Sequence, residues 1–252
     1  MKRTLPTLSI VIATLLTVCL TGCDKKEKID ISMEDVNKGI KVVQGKNGAE
    51  YQVVDLGIGV LFATCNIGAT SPEQTGQLFA WGETEPKDFY SWTNYRWNEE
   101  GESDCFPTKY TNKNETKLEL ADDAANSIMG EDWQIPREAD FKKLFTKKNC
   151  TSKWCKLNGV EGFLFTSVVK GYEGNSIFFP FSGMMDHDQK KFEGQYGRFW
   201  CNNLYTDPEK EKLYVNSGSI LSIDHNDGIE THVIQRQLRC TGTPIRPVYK
   251  GE

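Results

Sequence analysis

The apolar positions of this chain fall into three regimes, and the changes between them set out its organisation. A mostly apolar run starts near Leu5 and is densest over Leu8-Ser9-Ile10-Val11-Ile12-Ala13-Thr14-Leu15-Leu16. Residues 24 to about 50 are polar and Lys-rich, beginning Asp24-Lys25-Lys26-Glu27-Lys28, with no sustained helix or strand period. From Tyr51 the texture becomes short β-prone runs cut by glycine. Tyr51-Gln52-Val53-Val54-Asp55-Leu56-Gly57 and Val60-Leu61-Phe62-Ala63-Thr64-Cys65 predict a strand pair that starts the fold. Residues 118–125 predict a short helix, and 136–145 a second. In the second, Pro136 suits a first helical turn, the early acids favour its positive end, and Phe141, Leu144 and Phe145 recur at i, i+3, i+4 as a core-facing stripe. Beyond residue 160 the β-prone runs are 162–167, 176–180, 198–201, 212–215 and 245–248. Two short helices early and a mainly antiparallel, twisted sheet with long loops late make an α+β layout.

The first apolar run is too short to span a bilayer comfortably. It is preceded by Lys2 and Arg3 and followed by Leu20-Thr21-Gly22-Cys23. That pattern looks like a bacterial lipobox: a signal peptide over 1–22, cleavage after Gly22 and a lipid on the Cys23 thiol. The alternative is an ordinary secretory signal cut elsewhere, with Cys23 an incidental thiol. On the first reading 23–50 is a lipidated, flexible tether and 51–252 one exported domain, held in the cell envelope at the outer membrane or cell surface. Losing the leader removes two of the 30 Lys and Arg and takes the formal net charge from −5 to −7, which argues against nucleic acid as a partner. The 6 Trp, 9 Tyr and 13 Phe supply bulky material for one good-sized core.

Outside the leader and the anchor stand Cys65, Cys105, Cys150, Cys155, Cys201 and Cys240, an even number suited to an oxidising compartment. They allow up to three disulfides, and the pairings stay open from sequence. Cys201 with Cys240 is preferred, because both sit in strand-like segments near the C-terminus. No Cys-x-x-Cys occurs, and His187, His225 and His232 lie apart without helical spacing, so no metal site is assigned. Lys142, Lys143, Lys147 and Lys148 follow the second helix stripe, with Lys153 and Lys156 beyond. They could attract an anionic glycan, but a solvated helix face accounts for them better. The block Phe89-Tyr90-Ser91-Trp92-Thr93-Asn94-Tyr95-Arg96-Trp97 is the best ligand candidate on chemical grounds, with Trp92, Tyr95, Arg96 and Trp97 offering ring faces and a guanidinium to a sugar. Against this stands the simpler reading that the rings close a long insertion over the core.

Several blocks occur together in a fixed order: Val54-Asp55-Leu56-Gly57, Ala63-Thr64-Cys65-Asn66-Ile67-Gly68-Ala69, Phe79-Ala80-Trp81-Gly82-Glu83-Thr84-Glu85-Pro86-Lys87, Asp122-Asp123-Ala124-Ala125, Trp133-x-x-Pro136, Asn175-Ser176-Ile177-Phe178-Phe179-Pro180 and Ile245-Arg246-Pro247-Val248. In these the chain resembles the Fibrobacter succinogenes major paralogous domain over about 200 residues, from near Tyr51 to Val248. The resemblance implies a C-type lectin-like fold, distantly related to formylglycine-generating enzymes and sulfatase-modifying factors, and implies no known activity. This chain departs from the family where Gln134-Ile135-Pro136-Arg137 replaces Arg-Met/Leu-Pro-Thr and Asp140-Phe141 replaces Glu-Trp. The first change predicts loss of a buried pairing between that Arg and a carboxylate. The stretch from Asp224 to His232 reads as an extra-long loop.

Formylglycine-generating enzymes use a redox-active cysteine pair separated by four residues. Cys150 and Cys155 have that spacing but not the accompanying Gly-Gly-Ser, so a local structural disulfide is the better reading. No other catalytic motif is present, and the chain is expected not to be an enzyme. Calcium is a weaker expectation, from Asp224-x-Asn226-x-Gly228, which puts Gly where a third ligand is needed, and from Asp186-His187-Asp188. Two functions stay open: a non-catalytic envelope lipoprotein binding an extracellular glycan or protein through variable loops, or an assembly subunit of a surface fibre or envelope complex.

Overall fold

The strand pair expected after Tyr51 forms as the centre of a wider sheet. A computed structural model describes residues 30–36 and 38–251, so the lipobox and Cys23 lie outside the described residues. In chain order the elements are β1 Asp30–Ile31, β2 Ile40–Gln44, β3 Glu50–Asp55, β4 Leu61–Ala63, β5 Leu78–Phe79, α1 Ala124–Met129, β6 Trp133–Gln134 and α2 Glu138–Leu144. Strands then dominate: β7 Cys150–Leu157, β8 Val160–Ser167, β9 Ser176–Pro180, β10 Met184–Asp186, β11 Gln189–Lys191, β12 Tyr196–Asp207, β13 Lys212–Asn226, β14 Ile229–Leu238, β15 Thr243–Pro244 and β16 Val248–Tyr249. With 43% strand against 10% helix the fold is α+β with sheet in the larger share. The larger sheets run β2-β3-β4-β16-β6, β1-β7-β8-β9 and β12-β13-β14. Their pairings are antiparallel apart from β1 on β7.

Three sequence expectations change. The segment read as a tether to residue 50 joins the fold from Asp30: β2 pairs with β3 from Ile40↔Val54 to Gln44↔Glu50, and Val36 is buried against Cys155, Leu157, Leu164 and Phe178. An edge strand held by backbone bonds needs few buried side chains, and β2 buries none fully, so its sequence looks like linker. The expected long loop from Asp224 to His232 is instead the tip of the β13–β14 hairpin. Asn226 pairs with Ile229 across a two-residue turn in which Asp227 (φ 50°) and Gly228 (φ 82°) are both left-handed, the Asp-Gly chemistry of a tight hairpin. Finally, 118–123 holds only a 3-10 turn. The α-helix starts at Ala124 because the Asp123 carboxylate caps it, accepting from the Ala125 and Asn126 amides.

The second helix appears where its stripe places it, with Phe141 and Leu144 buried and Phe145 partly so. Its N-cap is Arg137, so Pro136 lies just outside the helix and not in its first turn. The buried pairing expected to be lost with Gln134 is supplied from that cap: Arg137 clasps the fully buried Asp140 through Nε (2.9 Å) and Nη2 (2.7 Å). Burial alone would raise the Asp140 carboxyl, but the Arg137 bonds and charge outweigh it and hold the group below the usual carboxylate range.

One apolar cluster gathers Phe62, Phe141, Phe179 and Phe199 under α2, and another gathers Trp81, Trp133 and Trp200. Two tryptophans lace strands together by donating to distant carbonyls, Trp81 Nε1 to Cys201 (2.9 Å) and Trp200 Nε1 to Phe79 (2.7 Å). Two fully buried arginines do more. Arg246 donates to Asn66 Oδ1 (2.8 Å) and to the Thr64 and Phe178 carbonyls (2.8 and 3.1 Å), its guanidinium 4.7 Å from the Phe179 ring centre. Arg239 donates to the Tyr95 hydroxyl (2.8 Å) and to the Val215 and Lys109 carbonyls (2.9 and 3.0 Å), above the Trp81 ring.

The β14 face carries His232 into an aromatic recess, with ring centres 4.5 Å from Phe163, 5.3 Å from Phe165 and 6.1 Å from Phe145. Its Nε2 is buried without a hydrogen-bond partner. Burial lowers its basicity below the ordinary 6.5, against the weaker pull of Glu230 and Asp224. A native pKa below the unfolded one means that its contribution to stability is complete above about pH 6.5 and is lost as pH falls through the lowered native value. Melting of wild type and His232→Phe followed from pH 7.5 to 5 is therefore expected to show a steeper loss in wild type. Parallel curves would show that His232 does not titrate differently on folding.

Candidate functional site

The aromatic block chosen from sequence is mostly structural. Tyr95 is buried, donating its hydroxyl proton to the Trp81 carbonyl (2.7 Å) and accepting from Arg239 Nε. Trp97 donates Nε1–H to the Gly82 carbonyl (2.8 Å), and Trp92 packs edge-on against Tyr95 with ring centres 5.5 Å apart. Arg96 stays exposed, its guanidinium 4.6 Å from the Trp97 ring centre. Tyr95 and Trp97 thus help close the insertion over the core, because their polar tips find partners inside it. Gly82 at φ 79° lets this happen: a Cβ there would sit 3.1 Å from both Leu118 and Trp97.

Asp224 and Asn226 are brought together on β13, where Asn226 Nδ2 donates to Asp224 Oδ1 (2.8 Å). An amide nitrogen spent on the carboxylate is the opposite of a converging oxygen shell. Asp186 is taken up with His187 Nδ1 at 3.0 Å. Among the described residues no group of three or more His, Cys, Asp or Glu side chains is placed to hold a metal ion.

The cysteines are separated by the fold. Cys150 and Cys155 stand on one strand, in different apolar clusters on its opposite faces. Five strand residues span about 16 Å, whereas a disulfide needs Cα atoms roughly 4.4–6.8 Å apart. This corrects the local-disulfide reading. Cys201 sits in the phenylalanine cluster and Cys240 beside Tyr90 and Tyr95, so the preferred pair is not brought together either; Cys65 lies apart, in a cleft with Asn66 and Tyr51. The fold draws Cys105 toward Cys240 instead. Asn98 holds the neighbouring loop through Asp104 and Phe106, within the insertion whose Tyr95 packs on Cys240, and the Cys105 thiol adds to the burial that pushes Cys240 up to about 12. All six thiols are free in this structure.

An open cleft of about 660 Å³ lies elsewhere, where the β2–β3–β4 edge meets the α2 cap and the segment after β16. Lys41, Asp55, Arg137, Tyr172, Tyr249 and Lys250 line it. Asp55 is committed twice, accepting from Lys41 Nζ (3.0 Å) and from the Gly57 amide (2.9 Å). Gly57, at φ 72°, leaves room for the Tyr172 ring, which would lie 2.5 Å from a Cβ. Tyr249 leans edge-on against buried Trp133. Lys250 donates to Gln134 Oε1 (2.8 Å), a neutral acceptor. Partial loss of solvent lowers its basicity. Asp140 offsets this in part, and nearby Arg137 and Lys117 add to the lowering.

Chemically this is a recess with rigid tyrosine walls, committed carboxylates and cationic donors, suited to binding more than to proton transfer. Arg137 was singled out in the sequence as a departure from a pattern and Asp55 as part of a strand and a resemblance block, neither of them as a site residue. Lys41, Tyr172, Tyr249 and Lys250 carried no local signal, because they are far apart in sequence and the fold alone sets them around one cleft. No family model, characterised protein or solved structure matches this chain.

Two outcomes are expected. Trp97→Ala should cost about 3 kcal/mol in chemical denaturation, the scale for truncating a large packed aromatic; an unchanged midpoint would return Trp97 to the list of ligand contacts. Peptide mapping of alkylated, unreduced protein should yield no Cys150–Cys155 cross-link, and finding one would mean that β7 is not a continuous strand.

Proposed function

We propose that this chain is a lipid-anchored, non-catalytic protein of the cell envelope whose C-type lectin-like domain binds an extracellular glycan. The observation that carries the reading is the cleft, where two tyrosines and several hydrogen-bond donors line an open volume of ligand size. The lipobox at Cys23 supports the location. The family resemblance supports the lectin-like assignment, and the sheet-rich α+β architecture is compatible with it. The non-catalytic part is supported by the thiols: burial pushes Cys150 and Cys155 up to about 11 and Cys240 to about 12, leaving them protonated and poor nucleophiles. It is supported too by the commitment of Asp55 and Asp140 to cationic partners.

The second reading, an assembly subunit, is favoured by one feature. Among the described residues the outer edge of β14 pairs with nothing, and the strand exposes Ile229, Val233 and Leu238. Detergent-solubilised full-length protein applied to a glycan array is expected to retain a subset of glycans and to lose them on Tyr172→Ala. A silent array, with specific envelope proteins copurifying in stoichiometric amount, would favour the assembly reading instead.

A further inference from the structure

The charges around the cleft are unevenly matched. Lys41 has Asp55 at 3.0 Å, and Arg137 has Asp140 through two bonds. Lys143, at the same edge, donates a hydrogen bond to the Ile58 carbonyl (2.7 Å) and has Asp140 at 3.9 Å. Lys250 alone of the lining cations has no carboxylate within ion-pair distance among the described residues. Its side-chain partner is the amide oxygen of Gln134. Around it lie Asp140 and Asp123 on one side and Arg137 and Lys117 on the other, so the nearer acids are balanced by cations. Asp140 is fully buried behind Arg137, and Asp123 is tied to the Ala125, Asn126 and Ile135 amides. Among the described residues, the lining cations Lys41, Arg137 and Lys250 are matched by Asp55 and Asp140 alone, which leaves one positive charge in surplus. Beside it, Arg137 Nη1 makes no hydrogen bond among the described residues, although the rest of that guanidinium is fixed by Asp140.

We propose that the cleft is selective for acidic glycans, with the carboxylate of a uronic acid seated on Lys250 and Arg137 Nη1 and the sugar ring lying against Tyr172 and Tyr249. The proposal rests on the reading of this cleft as the glycan site and adds the charge of the ligand. One unmatched ammonium with one free guanidinium N–H fits a single carboxylate, whose two oxygens accept one charge-assisted bond each. The flanking tyrosines supply flat faces for the C–H surface of the ring and hydroxyls for its substituents. Arg137 is held in place before any ligand arrives, so the carboxylate meets a donor that costs little to order.

The test uses full-length protein in detergent and two probe sets in calorimetry: galacturonate and glucuronate oligosaccharides, and the same oligosaccharides after chemical reduction of their carboxyl groups to alcohols. The acidic forms are expected to bind at least tenfold more tightly than the reduced forms, and to weaken with added salt. Lys250→Gln should remove that preference while leaving the melting temperature unchanged, since its side chain is exposed. Equal binding of acidic and reduced forms, abolished by Tyr172→Ala, would overturn the acidic selectivity and leave the glycan cleft standing. Binding of neither probe set, or binding indifferent to both Lys250→Gln and Tyr172→Ala, would overturn the selectivity and the cleft assignment together.

Discussion

Two guanidinium groups with no carboxylate partners hold this fold together. A buried unpaired charge costs several kcal/mol unless dipoles replace its water. Arg246 donates through Nε to Asn66 and through Nη1 to the carbonyls of Thr64 and Phe178, with Nη2 left without a partner among the described residues, and Arg239 donates to Tyr95 and to the carbonyls of Val215 and Lys109. Each set comes from segments that belong to different sheets or to the loops between them. Five separate sheets cannot share one continuous ladder, so these many-donor side chains do the joining. Aromatic faces, Phe179 under Arg246 and Trp81 under Arg239, complete the coordination where no polar group reaches.

Seen from this constraint, the blocks that define the family resemblance have physical roles. Ile245-Arg246-Pro247-Val248 supplies one guanidinium and the β16 pairing that seats it. Ala80-Trp81-Gly82-Glu83 supplies a core indole, a left-handed glycine against Trp97 and a carboxylate that accepts from Lys87 and the Arg96 amide. Asp122-Asp123 supplies an acceptor for Lys109 and Tyr110 and the cap of α1. These motifs build the scaffold. The cleft takes Asp55 and Gly57 from one of these blocks and its other lining residues, among them Lys41, Arg137, Tyr172, Tyr249 and Lys250, from outside them.

Most of the regular structure was legible. The strand pair after Tyr51, the helix around Phe141 and Leu144 and the late run of strands follow from local period and turn residues. Strand β7 was hidden by Lys153 and Lys156, which fall on opposite faces of the strand and break the alternation of apolar and polar residues. Strand β2 was hidden because its stabilisation is a backbone ladder, which leaves no side-chain period. The hairpin at Asp227-Gly228 did carry its signal, but metal-like acidic spacing drew attention to the same residues. In the aromatic block the residue types suited sugar as well as core, and only the partners of Tyr95 and Trp97 decide between them.

The sequence by itself determined the properties that depend on neighbours along the chain: the α+β balance, the helix stripe and the acidic net charge. Tertiary structure decided everything that depends on residues far apart in sequence. It placed Cys150 and Cys155 on opposite faces of one strand, buried Tyr90 and Tyr95 of a ligand-like aromatic block, and gave Asp140 to Arg137 when Gln134 could not serve it. It also set Lys41, Arg137, Tyr172 and Lys250 around one recess. Charge matching and burial are properties of three-dimensional neighbours, and a local pattern carries no record of which distant group will complete them.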